Sequence, residues 1–391
     1  MELAVINFTD LTRTRRINPF APQYIEDRAY LEEYVSVLLA NLSPDQKESF
    51  WMSSTKVLLK SILVLLANNY SQYCTLPHAL ALSTCPIQEV LTAIKQDEEA
   101  RAYASSVLDA FEGGDKAAAQ LAGITASLKV SLQLLLNPRI FWVLSAEEVD
   151  LRINAQGRPT ILCIGNHPPA KSAYSPVIAL LLTICFKAMY GHNRVKSFVA
   201  IDELPTLFIP HLSELPATAR KYGIGTIACV QSNAQLEDTY GEVGARKIQQ
   251  TLVNKFIGNV EDNSAVYGSE LLGKQDKPLS SSSHSSSSHE QGVSDTHGVS
   301  EQLQERPVLP PQAFMGFAPG EFAGKVAESD GPFFHKRLQP VVARDKAFKN
   351  GSLSELPQVR PAEEIDLEAN YNRIWKEARS VLEGMNATGH A

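Results

Sequence analysis

Two adjacent carboxylates at the end of an apolar segment are the strongest chemical signal in this sequence. Residues 198–201, Phe-Val-Ala-Ile, run directly into Asp202 and Glu203. A buried strand of this kind, the Walker B pattern, brings Asp202 to a sheet edge, where its carboxylate can hold a Mg²⁺-bound water, and places Glu203 to orient an attacking water. Many buried strands end in an acidic residue that only caps the next helix, so the pattern alone leaves both interpretations open.

Three further polar residues follow the carboxylates along the chain. Gln231 and Ser232 come after the next apolar segment, at the sheet edge next to where a γ-phosphate would lie, and this polar pair is suited to sensing it. Arg220 lies between the two apolar segments, at the end of a predicted helix. Arg220 is either a solvated cation favoured by the helix dipole or, in a ring, a residue that reaches the nucleotide of a neighbouring subunit.

Short apolar strands that alternate with helices must position these residues. The predicted strands are 160–164, 197–201, 226–230 and 253–257, and the predicted helices are 212–221, 241–250 and a buried helix capped by Ser175-Pro176 that ends near Met189. This order is typical of a parallel sheet covered on both faces. The sequence therefore predicts an α/β fold with a RecA-like core at residues 149–274, which residues 1–24 begin and the strands in 307–345 complete.

Residues 25–148 have the periodicity of helices and predict an inserted all-α domain. Leu31, Val35, Leu38 and Leu42 repeat at intervals of three and four, which places them on one helix face. Ser43-Pro44-Asp45-Gln46 predicts the capped start of the next helix, and Gly113-Gly114 predicts the end of a later one. Residues 346–391 predict a linker and a C-terminal helix whose apolar stripe, Leu367 to Val381, requires a partner surface.

Two polar segments carry weaker signals. Residues 275–306 are rich in Ser and contain His284 and His289, and they predict a disordered insertion, which we favour over a metal site because no Cys or carboxylate stands at ligand spacing. Arg13, Arg15 and Arg16 are a basic turn that either contacts phosphates or forms a solvated loop, and we favour the loop.

Composition restricts the functional classes. The net charge is -7, from 36 Lys and Arg against 43 Asp and Glu, so any contact with nucleic acid must be local. Five cysteines without a CxxC pair, mostly in apolar segments, indicate reduced and buried thiols in the cytoplasm. The N-terminus lacks a secretory signal, and the most apolar stretch, 177–189, would span only about 20 Å and is expected to be a buried helix, not a membrane anchor.

Three longer motifs resemble the coupling proteins of conjugative type IV secretion, the TraG/TraD family. The motifs are Asp202-Glu203-Leu204-Pro205-Thr206-Leu207, Ala219-Arg220-Lys221-Tyr222-Gly223, and the run from Gln231 to Gly241. The resemblance continues upstream through Asn18-Pro19-Phe20, Tyr73 to His78, Ala110 to Gly114 and Ile161 to Asn166, and so covers most of residues 3–345.

The resemblance implies roles for individual residues and for the whole chain. Asp202 and Glu203 would be Walker B, with Asp202 holding Mg²⁺ through water, Arg220 an arginine finger acting in trans, and Gln231 the γ-phosphate sensor. The implied activity is ATP-driven transfer of single-stranded DNA by a homo-hexamer at the cytoplasmic face of the bacterial inner membrane. The implied partners are a relaxase with its relaxosome accessory protein, which the all-α domain is associated with recognising, and the secretion channel.

One element of the family pattern is missing, because the sequence contains no G-x-x-x-x-G-K-[ST]. Gly324-Lys325 lacks the spacing, and neither it nor Gly273-Lys274 is followed by Ser or Thr. Without that loop no backbone amides cradle the phosphates and no Lys balances their charge, so ATP and Mg²⁺ are expected only if an N-terminal segment supplies the loop. Two functional classes stay open: part of an ATPase motor, and a non-hydrolytic module that recognises the relaxosome.

Overall fold

A computed structural model describes residues 2–43, 50–113, 115–191, 193–289, 292–339 and 357–388. The chain divides into two compact units. The first takes in residues 1–200, 206–226 and 354–391, and the second takes in residues 201–205 and 227–353.

The described elements alternate between strands and helices except in one long helical region. The strands are β1 (Glu2–Ile6), β2 (Thr160–Ile164), β3 (Ser197–Ile201), β4 (Ile224–Ala228), β5 (Lys255–Ile257), β6 (Lys274–His289), β7 (Gly292–Pro307), β8 (Glu321–Lys325) and β9 (Phe333–Arg337). The helices of the helical region are α1 (Pro22–Ile25), α2 (Arg28–Leu42), α3 (Phe50–Asn69), α4 (Leu76–Thr84), α5 (Ile87–Gln96), α6 (Glu98–Tyr103), α7 (Ser105–Glu112), α8 (Asp115–Leu132) and α9 (Pro138–Val143). The others are α10 (Lys171–Met189), α11 (Leu215–Arg220), α12 (Asn233–Thr251), α13 (Asp262–Leu272), α14 (Pro311–Met315) and α15 (Leu367–Thr388).

The fold is α/β, and its described strands form four separate sheets. β1 and β2 pair in parallel, β3 pairs with β4, and β5, β8 and β9 form an antiparallel sheet. The prediction of one parallel sheet is therefore wrong for β5, whose partner β8 runs antiparallel. The sequence gives no sign of this, because a short apolar strand looks the same in either orientation.

Side-chain caps begin several helices of the helical region. Asp27 accepts a hydrogen bond from the amide of Ala29, and Thr75 accepts one from the amide of His78. Such caps satisfy amides that have no partner within the helix. The helix end predicted at Gly113-Gly114 is confirmed at Gly113, which is the C-cap of α7 after Glu112. Residues 44–49 and Gly114 lie outside the described residues, so the predicted cap at Ser43-Pro44-Asp45-Gln46 does not enter the structural description.

Helix α10 is the central helix of the first unit. It packs along α2, and most of its apolar residues are buried, as predicted. It begins at Lys171, which makes the predicted cap at Ser175-Pro176 wrong and leaves Pro176 inside the helix. Proline there removes one helical hydrogen bond. The helix tolerates this loss because tertiary packing of its apolar residues supplies most of its stability.

Two helical segments, Phe50–Asn69 and Pro168–Met189, are long and apolar enough to cross a membrane. The apolar helix length expected from residues 177–189 alone is therefore too short. Within their most apolar windows, 67% and 72% of the residues are buried inside the protein. Buried core helices meet the same criteria of length and composition, so these two segments are weak indications of a membrane span.

The basic turn is half-buried at Arg16, so its interpretation as a solvated loop is wrong there. The guanidinium of Arg16 lies 5.1 Å from the ring centroid of Trp142, and that of Arg360 lies 4.7 Å from it. Glu148 Oε2 accepts hydrogen bonds from the backbone amide of Arg16 (3.0 Å) and from Nη2 of Arg360 (2.5 Å). This cluster ties the N-terminal segment and residue 360 to the turn after α9.

The C-terminal helix α15 packs against α4, α5 and α9 through its apolar stripe. Ile374, Ala378 and Val381 are buried there, so the prediction that this stripe requires a partner surface is confirmed. A polar contact adds to the packing, because His78 on α4 lies 3.0 Å from Glu377 Oε2 through Nε2. His78 is itself buried, and its Nδ1 lies 2.7 Å from Thr75 Oγ1.

The second unit has its own small core between α13, α14 and the sheet of β5, β8 and β9. Ala265, Phe314 and Ala323 are fully buried in it. Gly268 is required on α13 because a Cβ there would lie 2.8 Å from the ring of Phe314. The two elements therefore pack at a distance that no larger residue at position 268 allows.

The Ser-rich segment is a long hairpin, and the prediction of disorder is wrong for its described backbone. β6 and β7 pair antiparallel from Lys274 opposite Pro307 to His289 opposite Gly292. Hairpin pairing is made by backbone amides and carbonyls, so a sequence with few apolar side chains can still form it.

Candidate functional site

Strands β3 and β4 bring the predicted site residues to one edge of their sheet. The two strands run in the same direction, since the amide of Ser197 donates to Gly223 at one end and that of Cys229 donates to Ile201 at the other. The chain then turns, and the amide of Leu204 donates to the carbonyl of Cys229 (2.9 Å). These bonds fix residues 201–204 beside residue 229, where both strands have ended. The carboxyl ends of such strands are where α/β sheets bind ligands.

Glu203 and Gln231 are in direct contact at this edge. Nε2 of Gln231 donates a hydrogen bond to Oε2 of Glu203. The backbone of Glu203 has a φ of 57°, in the left-handed region that side chains rarely adopt. Strained positions of this kind are concentrated at functional sites. Asp202 is exposed next to them, so its carboxylate is accessible to a hydrated cation.

Two neighbouring residues, Thr239 and Ser232, have structural roles that were not predicted. Thr239 on α12 donates through Oγ1 to the carbonyl of Pro205 (2.8 Å), which fixes the turn after Glu203. Ser232 Oγ accepts from the amide of Gln235 and caps α12, so Ser232 has a structural role there. The sequence signal was the Ser-x-x-Gln spacing that marks a helix start.

Arg220 is the last residue of the short helix α11 and is exposed. A cation at a helix C-terminus is favoured by the helix dipole. Arg220 belongs to the first unit, whereas Asp202, Glu203 and Gln231 belong to the second. The structure therefore brings Glu203 and Gln231 together and leaves the role of Arg220 as a prediction.

The chemistry of the residues present fits one side of a Mg²⁺-nucleotide site. Asp202 and Glu203 carry carboxylates and Gln231 carries an amide, which are groups able to bind a hydrated cation and orient water. No cluster of three or more His, Cys, Asp or Glu residues suited to a metal occurs among the described residues.

The phosphate side of such a site has no counterpart in the described residues. A phosphate-binding loop lies between a strand and a helix N-terminus. Gly273, with a φ of 74°, instead ends α13, and Gly324 lies inside β8 opposite Phe256. Neither Gly-Lys pair therefore forms a phosphate-binding loop, and the residues present do not make a complete nucleotide site.

Several strands leave one apolar side uncovered. Ile161 on β2 is 50% exposed, Phe198 on β3 is 69% exposed and Ile227 on β4 is 52% exposed. Cys163 and Cys229 are also exposed, in contrast to the expectation of buried thiols, which Cys74, Cys85 and Cys185 meet. Strands of parallel sheets are normally buried on both faces.

Comparison with known sequences gives two matches. Residues 197–319 match a family described as the TraM recognition site of TraD and TraG. A segment of 129 residues is 30% identical to the coupling protein TraD of Escherichia coli (strain K12). That alignment covers 32% of this chain and 18% of TraD, so the chain matches less than a fifth of the relative's length.

Comparison with solved structures extends the similarity to most of the chain. The bacterial conjugative coupling protein TrwBdeltaN70, in an unbound monoclinic form, superimposes with a TM-score of 0.63 at 16% identity, covering 86% of this chain and 73% of that chain. The plasmid coupling protein TrwB in complex with ADP and Mg²⁺ gives a TM-score of 0.61 at 14% identity over the same shares. At this identity the matches show the fold, and they confirm the RecA-like architecture.

Proposed function

We propose that this chain, whose resemblance to TraG/TraD-type coupling proteins is confirmed by these matches, is part of a conjugative coupling ATPase. In this proposal the assembled protein recruits the relaxosome and drives single-stranded DNA toward a type IV secretion channel by ATP hydrolysis. It acts as a hexamer at the cytoplasmic face of the inner membrane. The proposal assigns Asp202 to Mg²⁺, Glu203 to the attacking water, Gln231 to the γ-phosphate and Arg220 to a neighbouring subunit.

The contact between Gln231 and Glu203 is the observation that carries this proposal. It joins the two polar positions that follow neighbouring strands, and the amide orients the carboxylate at the sheet edge. A carboxylate that must orient water needs a fixed position within hydrogen-bond reach of it. The left-handed backbone of Glu203 supports the same role, since such strain persists only where the surrounding structure maintains it.

A second segment that bears the phosphate-binding loop completes the motor in this proposal. The loop supplies backbone amides and a Lys to the phosphates, and the residues of this chain bind and orient the metal-bound water. The exposed apolar sides of β2, β3 and β4 support this division, because a covering layer would bury them.

A non-hydrolytic recognition module is the second candidate function. The missing loop favours it, as does the match to a family described as a TraM recognition site. Here the chain would bind a relaxosome accessory protein without any turnover of nucleotide. The two candidates differ in whether a loop-bearing segment confers ATPase activity.

Co-expression with the N-terminal, loop-bearing segment of a TraD-type relative tests the proposal. We expect the complex to hydrolyse ATP and the chain alone to show no thermal shift with Mg-ATP, since a ligand stabilises only a fold that binds it. Replacing Glu203 with Gln should abolish turnover in the complex and preserve nucleotide binding. Turnover that is unchanged by Glu203→Gln would refute the assignment of Glu203, and a complex that binds ATP without hydrolysing it would favour the recognition module.

A further inference from the structure

The antiparallel sheet of the second unit carries three phenylalanines on one face. Phe256 on β5 is opposite Gly324 on β8, which is opposite Phe334 on β9, so the two phenylalanines share a face. Phe322 lies two residues before Gly324 and therefore on the same face, opposite Lys336. We call these four residues, Phe256, Phe322, Phe334 and Lys336, the aromatic face.

Glycines allow the rings to lie against the sheet. The rings of Phe256 and Phe334 approach to 5.2 Å between centroids, above the position of Gly324. A Cβ at Gly258 would lie 3.2 Å from the Phe322 ring, whereas one at Gly324 would first meet the backbone carbonyl of Lys255 and then the Phe334 ring at 3.3 Å. On this face Phe256 is 57% exposed, while Phe322 and Phe334 are half-buried, so part of each ring remains accessible to solvent.

The sheet is locally basic although the chain is acidic. Within β5, β8 and β9 the only carboxylate is Glu321, whereas the cations are Lys255, Lys325, Lys336 and Arg337. Lys336 lies on the aromatic face and is exposed. The whole chain has a net charge of -7. The other three cations lie on the opposite face, so Lys336 supplies the positive charge of the aromatic face itself, where a phosphate contact requires it.

The antiparallel arrangement distinguishes this face from the uncovered sides of β2, β3 and β4. Parallel sheets need a layer on both faces, whereas an antiparallel sheet can keep one face in water. Its other face already covers the core of the second unit at Ala323. A solvated face is normally polar, so one made of three phenylalanines and a lysine indicates a binding surface.

We propose that the aromatic face binds single-stranded nucleic acid by stacking bases on Phe256, Phe322 and Phe334 while Lys336 contacts the phosphates. Exposed aromatic side chains on a sheet with flanking cations are how several protein modules hold unpaired bases, whose faces are free to stack. A duplex hides those faces within its own stack. The inference deepens the proposed function, because it assigns residues to the contact with single-stranded DNA.

Fluorescence anisotropy tests this inference. The purified chain is titrated, without ATP, into a fluorescein-labelled oligo(dT) of about 20 nucleotides. Phe256→Ala and Phe334→Ala should each weaken binding by roughly 5- to 100-fold. Phe333→Ala is the matched control, because Phe333 is adjacent and 49% exposed but lies on the opposite face, and it should change binding by less than about twofold. Lys336→Gln should reduce the slope of log affinity against log salt by about 0.7.

Two substitutions at one position separate stacking from general apolar contact. Phe334→Trp should retain binding, whereas Phe334→Leu, which stays apolar but loses the ring, should weaken it as Phe334→Ala does. Thermal unfolding of each variant verifies that it is folded. If the Phe334 variants are not folded, Phe256→Ala replaces them as the test of the aromatic face, because Phe256 is more exposed and its side chain contributes less to the fold.

Three results would overturn the inference: no salt-dependent binding by the native chain, equal weakening by Phe333→Ala, or native affinity in Phe334→Leu. Native affinity in Phe334→Leu would indicate a protein segment as the occupant. Because the assay contains no ATP, its failure leaves the proposed ATPase untouched, and failure of the ATPase leaves the binding result valid.

Discussion

Replacing Glu148 with Ala should destabilise the first unit far more than replacing an exposed carboxylate. Glu148 accepts hydrogen bonds from the Arg16 amide and the Arg360 guanidinium, and the side chains of Arg360 and Glu148 are only 14% and 27% exposed. Breaking a buried ion pair costs about 3–5 kcal/mol, and partial exposure lowers that cost. We therefore expect a loss of roughly 2–4 kcal/mol, part of it from the unsatisfied amide of Arg16.

Glu2→Ala is the matched control, because the Glu2–Arg158 pair has side chains 36% and 80% exposed. Exposed pairs contribute at most about 1 kcal/mol, so this variant should remain close to the native stability. The assay is urea denaturation followed by circular dichroism at neutral pH, with unchanged dependence on denaturant as evidence that the same unit unfolds. If Glu148→Ala loses no more stability than Glu2→Ala, the cluster around Trp142 does not join the terminal segments as the structure indicates.

Three further predictions concern titration, thiols and the hairpin. Burial lowers the pKa of His78 although Glu377 opposes this, so the unfolded chain takes up a proton near pH 6.5 before the folded one does. The free energy of unfolding should therefore be fully retained above pH 6.5 and should decrease as the pH falls below 6.5. The decrease should be less steep in His78→Gln. Greater stability at pH 5 than at pH 7 would show that the pKa of His78 is shifted in the opposite direction. Cys163 and Cys229 should react rapidly with a disulfide reagent, while Cys74 and Cys185, whose thiol pKa burial raises to about 12, should stay unreactive until unfolding; a rapid count of all five thiols would contradict this. Replacing residues 275–306 by a short Gly-Ser linker should preserve cooperative unfolding, because loop length contributes little to stability, and insoluble protein would show that the hairpin is needed.

The sequence predicted the elements around the site closely because each is short and locally determined. β2 and β3 begin and end where their apolar residues do, and Asp202 and Glu203 follow β3 directly. α12 is interrupted by a kink at Gly241, where φ is 72° and the backbone is not helical. The part after the kink contains the predicted helix 241–250, whereas the part before it, which Ser232 caps, was not predicted.

Features that depend on distant residues could not be predicted. Arg16 lies on Trp142 together with Arg360, a contact between three separate parts of the chain. The antiparallel partner of β5 is equally non-local, and so is the hairpin, whose pairing does not need apolar side chains. At the site, the contact of Gln231 with Glu203 required both strand ends to be adjacent, which the predicted order of elements allowed but did not establish.

The most direct test of the proposed motor mixes two inactive variants of the complex that contains a loop-bearing segment. Glu203→Gln removes the carboxylate that orients water, and Arg220→Ala removes the proposed arginine finger, which should lower turnover by roughly a thousandfold. If Arg220 acts on a neighbouring subunit, mixed rings contain interfaces with one intact Arg220 and one intact Glu203, and part of the ATPase activity returns. If mixed rings that are verified to co-assemble recover no activity, Arg220 is no finger and the proposed ring mechanism is contradicted.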